Sequence, residues 1–181
     1  DTFLSARLLS VSDLGIYGAA SQLSSAVPQL VFAIAAAIAP KLASMTNHQQ
    51  AAAYLKKLQL MVLGVAAIGL LGLPLAYVII PMLYGISYQA AILPFIILMI
   101  AQLIFLISIP THQAVFYYFQ KPALFVGVSF VKLIIMAMGG WIMISTYGML
   151  GAALTILIGS LVDFIVPFVW VVRKFRKPDE S

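Results

Sequence analysis

The sequence predicts an all-α integral membrane protein with about five complete transmembrane helices and the end of one more. Three observations predict this class. Hydrophobic residues make up 64% of the 181-residue chain and charged residues only 8%, whereas soluble domains run at about 45–50% apolar and about 25% charged. The mean hydropathy is +1.11, and several separate apolar stretches exceed the roughly 18–20 residues that cross a bilayer. Uninterrupted segments of this length satisfy their backbone polar groups in lipid as helices, and the ten-residue alternation of barrel strands is not seen. The chain has no cysteine, which excludes disulfide frameworks, thiolate metal sites, iron–sulfur clusters and cysteine nucleophiles.

Each element follows in order. Residues 1–9 are too short to span and read as the end of a helix begun upstream. There is neither an initiating Met nor a basic leader before a short apolar core, so no signal peptide is visible. The chain is therefore expected to be a fragment whose N-terminal portion is missing. Residues 15–39, rich in Ala and Ser, form the first complete span, closed by Pro40. Residues 58–83 form the second, almost purely aliphatic, with Pro74 and Pro81 as bends. Residues 91–109 form the third, which continues as helix to Phe119 after a kink at Pro110. Residues 122–145 form the fourth, starting with Pro122 at a favoured first-turn position, and residues 148–172 form the fifth. At about 1.5 Å per residue each covers roughly 30 Å, enough to cross with some tilt. No internal repeat or linker divides residues 1–181, which read as one helical bundle. The tail 177–181 is expected to be mobile.

The formal charge of +5 follows the connections between spans. Lys41, Lys56 and Lys57 fall after the first span and Lys121 after the third. Arg173, Lys174, Arg176 and Lys177 fall after the fifth, and the intervening loops carry no basic residue. Every second connection is basic, which places those connections and the C-terminus on the cytoplasmic side. Arg7, near Asp13 on the opposite face, is a small exception. The same distribution argues against nucleic acid as a partner and for membrane lipids.

Two ionisable residues lie deep in apolar segments, Lys132 in SFVKLII and Asp163 in SLVDFIV. They are equidistant from the Tyr147–Gly148 turn, so an antiparallel hairpin brings them to one depth near the middle of the bilayer. A charge there costs at least about 2.5–3.5 kcal/mol, and an opposite partner is the expected remedy. An ion pair pinning two helices and a charged group facing a hydrated transport cavity are both consistent with this placement, and both can hold at once. Asp163 shares a helical stripe with Ala152, Thr155, Gly159 and Ser160, and Lys132 shares one with Ser129, Met136 and Gly139. Small and hydroxylated residues at these spacings read as helix packing.

In the first span Ser21, Gln22, Ser25 and Gln29 make a polar stripe beside Pro28. The stripe reads either as a cavity lining able to hydrogen-bond sugar hydroxyls or as a set of bonds to a neighbouring helix. Pro28 and Pro110 are the candidate hinges. His48, in TNHQQ, reads as solvated, and His112, in PTHQA, lies near the cytoplasmic edge. No third ligand joins them, so neither a metal site nor a cofactor is expected. No phosphate-binding loop, dinucleotide fingerprint, nucleophile elbow or HExxH motif is present. Asp1, Asp13, Asp163, Asp179 and Glu180 are the only acids, a poor basis for paired-carboxylate catalysis, so the chain does not read as an enzyme.

Three stretches resemble a known family. SVSDLGIYGAASQLSSAVPQLVFAIAAAIAPKLAS is similar to the segment of polysaccharide-export flippases (Wzx/PST type) in which a Gly-x-Tyr helix start precedes a long Ala-rich span ending in Pro. PMLYGISYQAA resembles that family's connection of the form leucine–Tyr/Phe–Gly–x–x–Tyr–x–x–Ala, and GMLGAALTILIGSLVDF its closing Gly-x-x-Gly-Ala-Ala helix. These flippases belong to the multidrug/oligosaccharidyl-lipid/polysaccharide exporter (MOP) superfamily. The resemblance spans essentially the whole chain through loose, hydrophobic motifs. It implies a transporter of about twelve to fourteen helices in two bundles, with this chain as most of the second and the N-terminal bundle missing. It also implies movement of a lipid-linked oligosaccharide, carried on polyprenyl pyrophosphate, across the cell inner (cytoplasmic) membrane by alternating access. No family residue transfers onto Lys132 or Asp163, which are proposed for the cavity on burial grounds. Competing readings are a multidrug or peptidoglycan-precursor exporter of the same superfamily and a non-transporting scaffold for polysaccharide biosynthesis. A membrane glycosyltransferase is disfavoured by the missing acidic cluster.

Overall fold

The computed structural model describes residues 2–176; the tail 177–181, expected to be mobile, lies outside them. The described residues are helical almost throughout, with no strand among them. A short helix α1 (Thr2–Leu8) precedes five helical stretches long and apolar enough to cross a membrane: Val11–Ala43, His48–Tyr84, Ile86–Tyr118, Ala123–Tyr147 and Met149–Arg176. The chain is an all-α, multi-pass membrane protein. Large apolar side chains such as Phe32, Leu71, Met82 and Val126 stand exposed on its outer surface, as a bundle solvated by lipid tails requires.

The first span consists of α2 (Val11–Ser24) and α3 (Ala26–Ala43). Ser10 caps α2 by accepting the Asp13 amide at 3.1 Å, and its hydroxyl donates to the Asp13 carboxylate at 2.8 Å. This cap starts the helix four residues before the apolar run begins. The α-helix breaks at Ser25, three residues before Pro28. Pro28 has no N–H to offer the Ser24 carbonyl, so the interruption falls just ahead of the expected hinge. Pro40 does not close the span, because α3 runs through it to Ala43.

The second span departs most from expectation. Its first helix, α4 (His48–Leu71), begins ten residues before the apolar run, with Asn47 capping the Gln49 and Gln50 amides at 2.9 and 3.1 Å. Lys56 and Lys57 are therefore helical and not in a loop. HQQAAAYLKK lacks hydrophobicity, but Ala, Gln, Leu and Lys are strong helix formers behind a good cap. A 3-10 turn at Leu73–Leu75 around Pro74 leads into α5 (Ala76–Tyr84), which contains Pro81.

Gly85, at φ +89°, turns the chain into a 3-10 segment (Ile86–Ala91) and then α6 (Ile92–Gln113). The helix continues through Pro110, and its departure from α geometry comes later, as a π-helical turn at Ala114–Tyr118. The fourth span is α7 (Ala123–Ile134), a π-helical turn (Ile135–Gly139) and α8 (Gly140–Tyr147), with Pro122 just outside it as the capping residue. Gly148, at φ +56°, makes the tight turn into α9 (Met149–Arg176), which runs four residues beyond Val172. Arg173, Lys174 and Arg176 belong to its last turn.

Helix α6 is the hub. It packs along α9 and also meets α2, α3 and α4, while α7 and α8 lie on α9 and α1 on α8. One core cluster contains Val31, Leu42, Leu55, Val62, Leu106 and Val115. A second, toward the two glycine turns, contains Tyr17, Ile80, Leu98, Ile144 and Ala152. Aromatic rings tie the ends that carry the basic residues together: Phe175 packs on His48 at 4.6 Å and on Tyr118 at 5.8 Å. His48 is not simply solvated, since its Nδ1 lies 3.0 Å from the Tyr118 hydroxyl.

Candidate functional site

The hairpin made by Gly148 sets α7 antiparallel to α9, and the equal spacing of Lys132 and Asp163 from that turn has its predicted result. Lys132 Nζ donates to Asp163 Oδ2 at 2.5 Å. Asp163 stands ten residues, about 15 Å of helix, before Arg173, half the thickness of a bilayer's hydrocarbon core. The two side chains differ in setting: that of Asp163 is 12% exposed and that of Lys132 is 37% exposed. The carboxylate is enclosed between helices, while the lysine side chain that holds it stays partly open.

Glycine makes the approach possible. A β-carbon on Gly159 would lie 2.8 Å from Met136 Cε and 3.4 Å from Lys132 Cε, so the lysine stem runs across a surface that only Gly leaves free. Ala152, Thr155, Gly159 and Ser160 are all buried, the packing role read from their stripe. On the facing helix Ser129 is exposed and takes no part in packing.

A third residue joins at the same level. His112 Nε2 lies 2.7 Å from the backbone carbonyl of Asp163. A carbonyl only accepts, so Nε2 carries the proton. The cause lies four residues further along α9. Pro167 sits inside the helix and has no N–H, so the Asp163 carbonyl loses its intrahelical partner, and His112 supplies the missing donor from α6. The imidazole is held edge-on between Phe125 at 4.8 Å and Phe105 at 5.9 Å. Asp163 thus joins three helices, through its carboxylate to α7 and through its carbonyl to α6. Sequence reasoning missed this role for His112; the signal was a proline four residues after a buried acid. Gln59 was missed in the same way: its amide donates to the Ile107 carbonyl at 3.0 Å, beside the ladder bond that Pro110 removes.

This explanation of His112 is testable. Replacing His112 with Phe should destabilise the protein by about 1–3 kcal/mol, the cost of a buried acceptor left unsatisfied. Pro167→Ala in the same chain restores an N–H to α9 and should recover most of that loss. The recovery, measured as thermal unfolding in detergent, separates hydrogen bonding from simple packing.

The polar stripe is not drawn into this cluster. Gln22, Ser25 and Gln29 are all exposed, on either side of the Ser25 break. Among the described residues their side chains make one hydrogen bond, a local one from Ser25 Oγ to the Gln22 carbonyl at 2.6 Å. Among the described residues no neighbouring helix takes up their amides, so helix-to-helix bonding within this bundle is not their role. Nor does any group of three or more His, Cys, Asp or Glu among the described residues form a metal site. Compared with protein-family models, with curated proteins and with solved structures, the chain matches none.

Proposed function

We propose that this chain is the second bundle of an alternating-access transporter that flips lipid-linked oligosaccharide units across the cytoplasmic membrane, with its C-terminus cytoplasmic. The observation that carries the reading is the asymmetric ion pair at mid-membrane depth. A pair serving only to fasten helices is best fully enclosed, whereas Lys132 keeps over a third of its side chain exposed beside a carboxylate that is sealed in. An ammonium so placed is suited to a phosphate-bearing head group, and Asp163 holds it in position until that anion arrives.

The stripe supports the reading from another direction. Gln22, Ser25 and Gln29 present amides and a hydroxyl on an exposed face of a membrane-spanning helix. Facing lipid they would be unsatisfied, so that face belongs against water or a second bundle. In a cavity the same groups bond sugar hydroxyls, and the break at Ser25 gives the helix a place to bend. The role is translocation without bond chemistry, with polyprenyl pyrophosphate carrying the cargo.

The test replaces Gln22 and Gln29 together with Leu in the full-length protein. Because both side chains are exposed and lack partners within this bundle, membrane abundance and thermal stability should hold, while the appearance of lipid-linked oligosaccharide in the outer leaflet falls at least tenfold. Unchanged oligosaccharide export with altered drug resistance would instead favour the multidrug reading.

A further inference from the structure

Where the basic residues gather, α4, α6 and α9 leave between them a groove of about 410 Å³. Its walls are apolar, with Leu55 and Leu60 from α4 facing Phe168 and Val172 from α9, and Lys56 and Arg176 also line it. Lys56 sits midway along the α4 residues that line the slot, between Ala52 and Leu60, and Arg176 ends the lining on α9, so one cation stands on the wall of the slot and the other at its end. Both are exposed, and neither is ion-paired among the described residues. Two other cations at this end are engaged, Lys41 lying 4.7 Å over the Tyr54 ring and Lys174 6.0 Å over that of Trp170. The acids among the described residues are Asp13 and Asp163. Asp13 opens the first span at its far end and Asp163 is taken by Lys132, so neither offsets Lys56 or Arg176.

An apolar slot with one cation on its wall and a second at its end suits an anionic phospholipid, whose apolar chain fills the slot and whose head group the long Lys56 and Arg176 side chains can reach. A soluble anion would use the cations and leave the slot unfilled. A zwitterionic lipid would fill the slot but bring its own positive charge against Lys56 and Arg176. Basic pockets between transmembrane helices at the positive side of a membrane are suited to acidic head groups, and the planar guanidinium adds a fork that fits phosphate.

We infer that this groove binds one anionic phospholipid of the surrounding bilayer, its phosphate held by Lys56 and Arg176 and an acyl chain lying between α4 and α9. The site is separate from the Lys132–Asp163 cluster and does not depend on the transport reading. The bound lipid lies against Pro110 and Thr111 of α6 as well as α4 and α9, so it bridges three spans at the end where the aromatic contacts of His48, Tyr118 and Phe175 already join them.

The experiment titrates full-length protein, in nanodiscs of phosphatidylcholine, with phosphatidylglycerol and counts retained lipid by native mass spectrometry. One tightly retained phosphatidylglycerol is expected. Lys56→Gln with Arg176→Gln should weaken its retention about tenfold or more. The charge-matched pair Lys41→Gln with Lys121→Gln, whose residues lie outside the groove, should leave it within a factor of about three, the loss from general surface charge alone. Equal loss in both double variants would mean diffuse attraction and overturn the site. Equal retention of phosphatidylcholine would reduce it to an apolar slot, and displacement by millimolar inorganic phosphate would make it an ion site; either result also overturns the proposal.

Discussion

Replacing Lys132 with Met will destabilise the protein more than replacing Asp163 with Leu. Each single change removes one partner of a pair, but the charges left behind are not equivalent. Without Lys132, the Asp163 carboxylate remains enclosed at 12% exposure with no cation among the described residues bonded to it. Breaking a buried pair from one side costs about 3–5 kcal/mol, and the upper part of that range is expected here. Without Asp163, the Lys132 side chain is already over a third exposed and has a flexible stem with which to reach polar surroundings, so the cost should fall to about 2.5–3 kcal/mol, near the insertion penalty of a single charge. The double variant Lys132→Met/Asp163→Leu should unfold close to wild type, since an apolar pair can replace a buried ionic one with little loss. A double-mutant cycle on detergent-solubilised protein measures all three.

A single methyl group on Gly151 will have an effect of similar size. Its β-carbon would fall on the backbone carbonyl of Met143, on the helix that precedes the Gly148 turn. Backbone on both sides prevents either element from yielding, unlike Gly159, where the neighbours are the flexible ends of Met136 and Lys132. Gly151→Ala should therefore cost about 3 kcal/mol, the upper end for overpacking, by prying α8 from α9. Because that contact lies at the turn of the hairpin, the Lys132–Asp163 register goes with it. The expected readout is a sharply reduced yield of folded protein, with Gly127→Ala, where a β-carbon meets nothing, remaining near wild type.

What the sequence revealed and what it hid have physical causes. The spans were legible because crossing lipid demands long apolar runs, and the break between the last two marked the Tyr147–Gly148 turn. The Lys132–Asp163 pair was legible because depth in a hairpin follows from counting residues out of its turn. The start of α4 was hidden because hydrophobicity does not report a helix that rises above the apolar layer; the Asn47 cap and the helix formers behind it do. His112 and Gln59 were hidden for a different reason. Each satisfies a carbonyl on another helix near a proline, 51 and 48 residues away in sequence, and such a partnership becomes visible only once the helices are packed. The setting of Gln22, Ser25 and Gln29 was half legible: their shared face could be read, but not that it stays open within this bundle.

The measurement that bears most directly on the central claim is export by the Lys132→Met/Asp163→Leu double variant of the full-length protein, made in cells lacking the native copy. Its stability and membrane abundance should match wild type, so any change in lipid-linked oligosaccharide reaching the outer leaflet reports on transport alone. Loss of export at normal abundance is the predicted result and identifies the pair as part of the pathway. Export at the wild-type rate would contradict it, leaving Lys132 and Asp163 as a fastening between two helices.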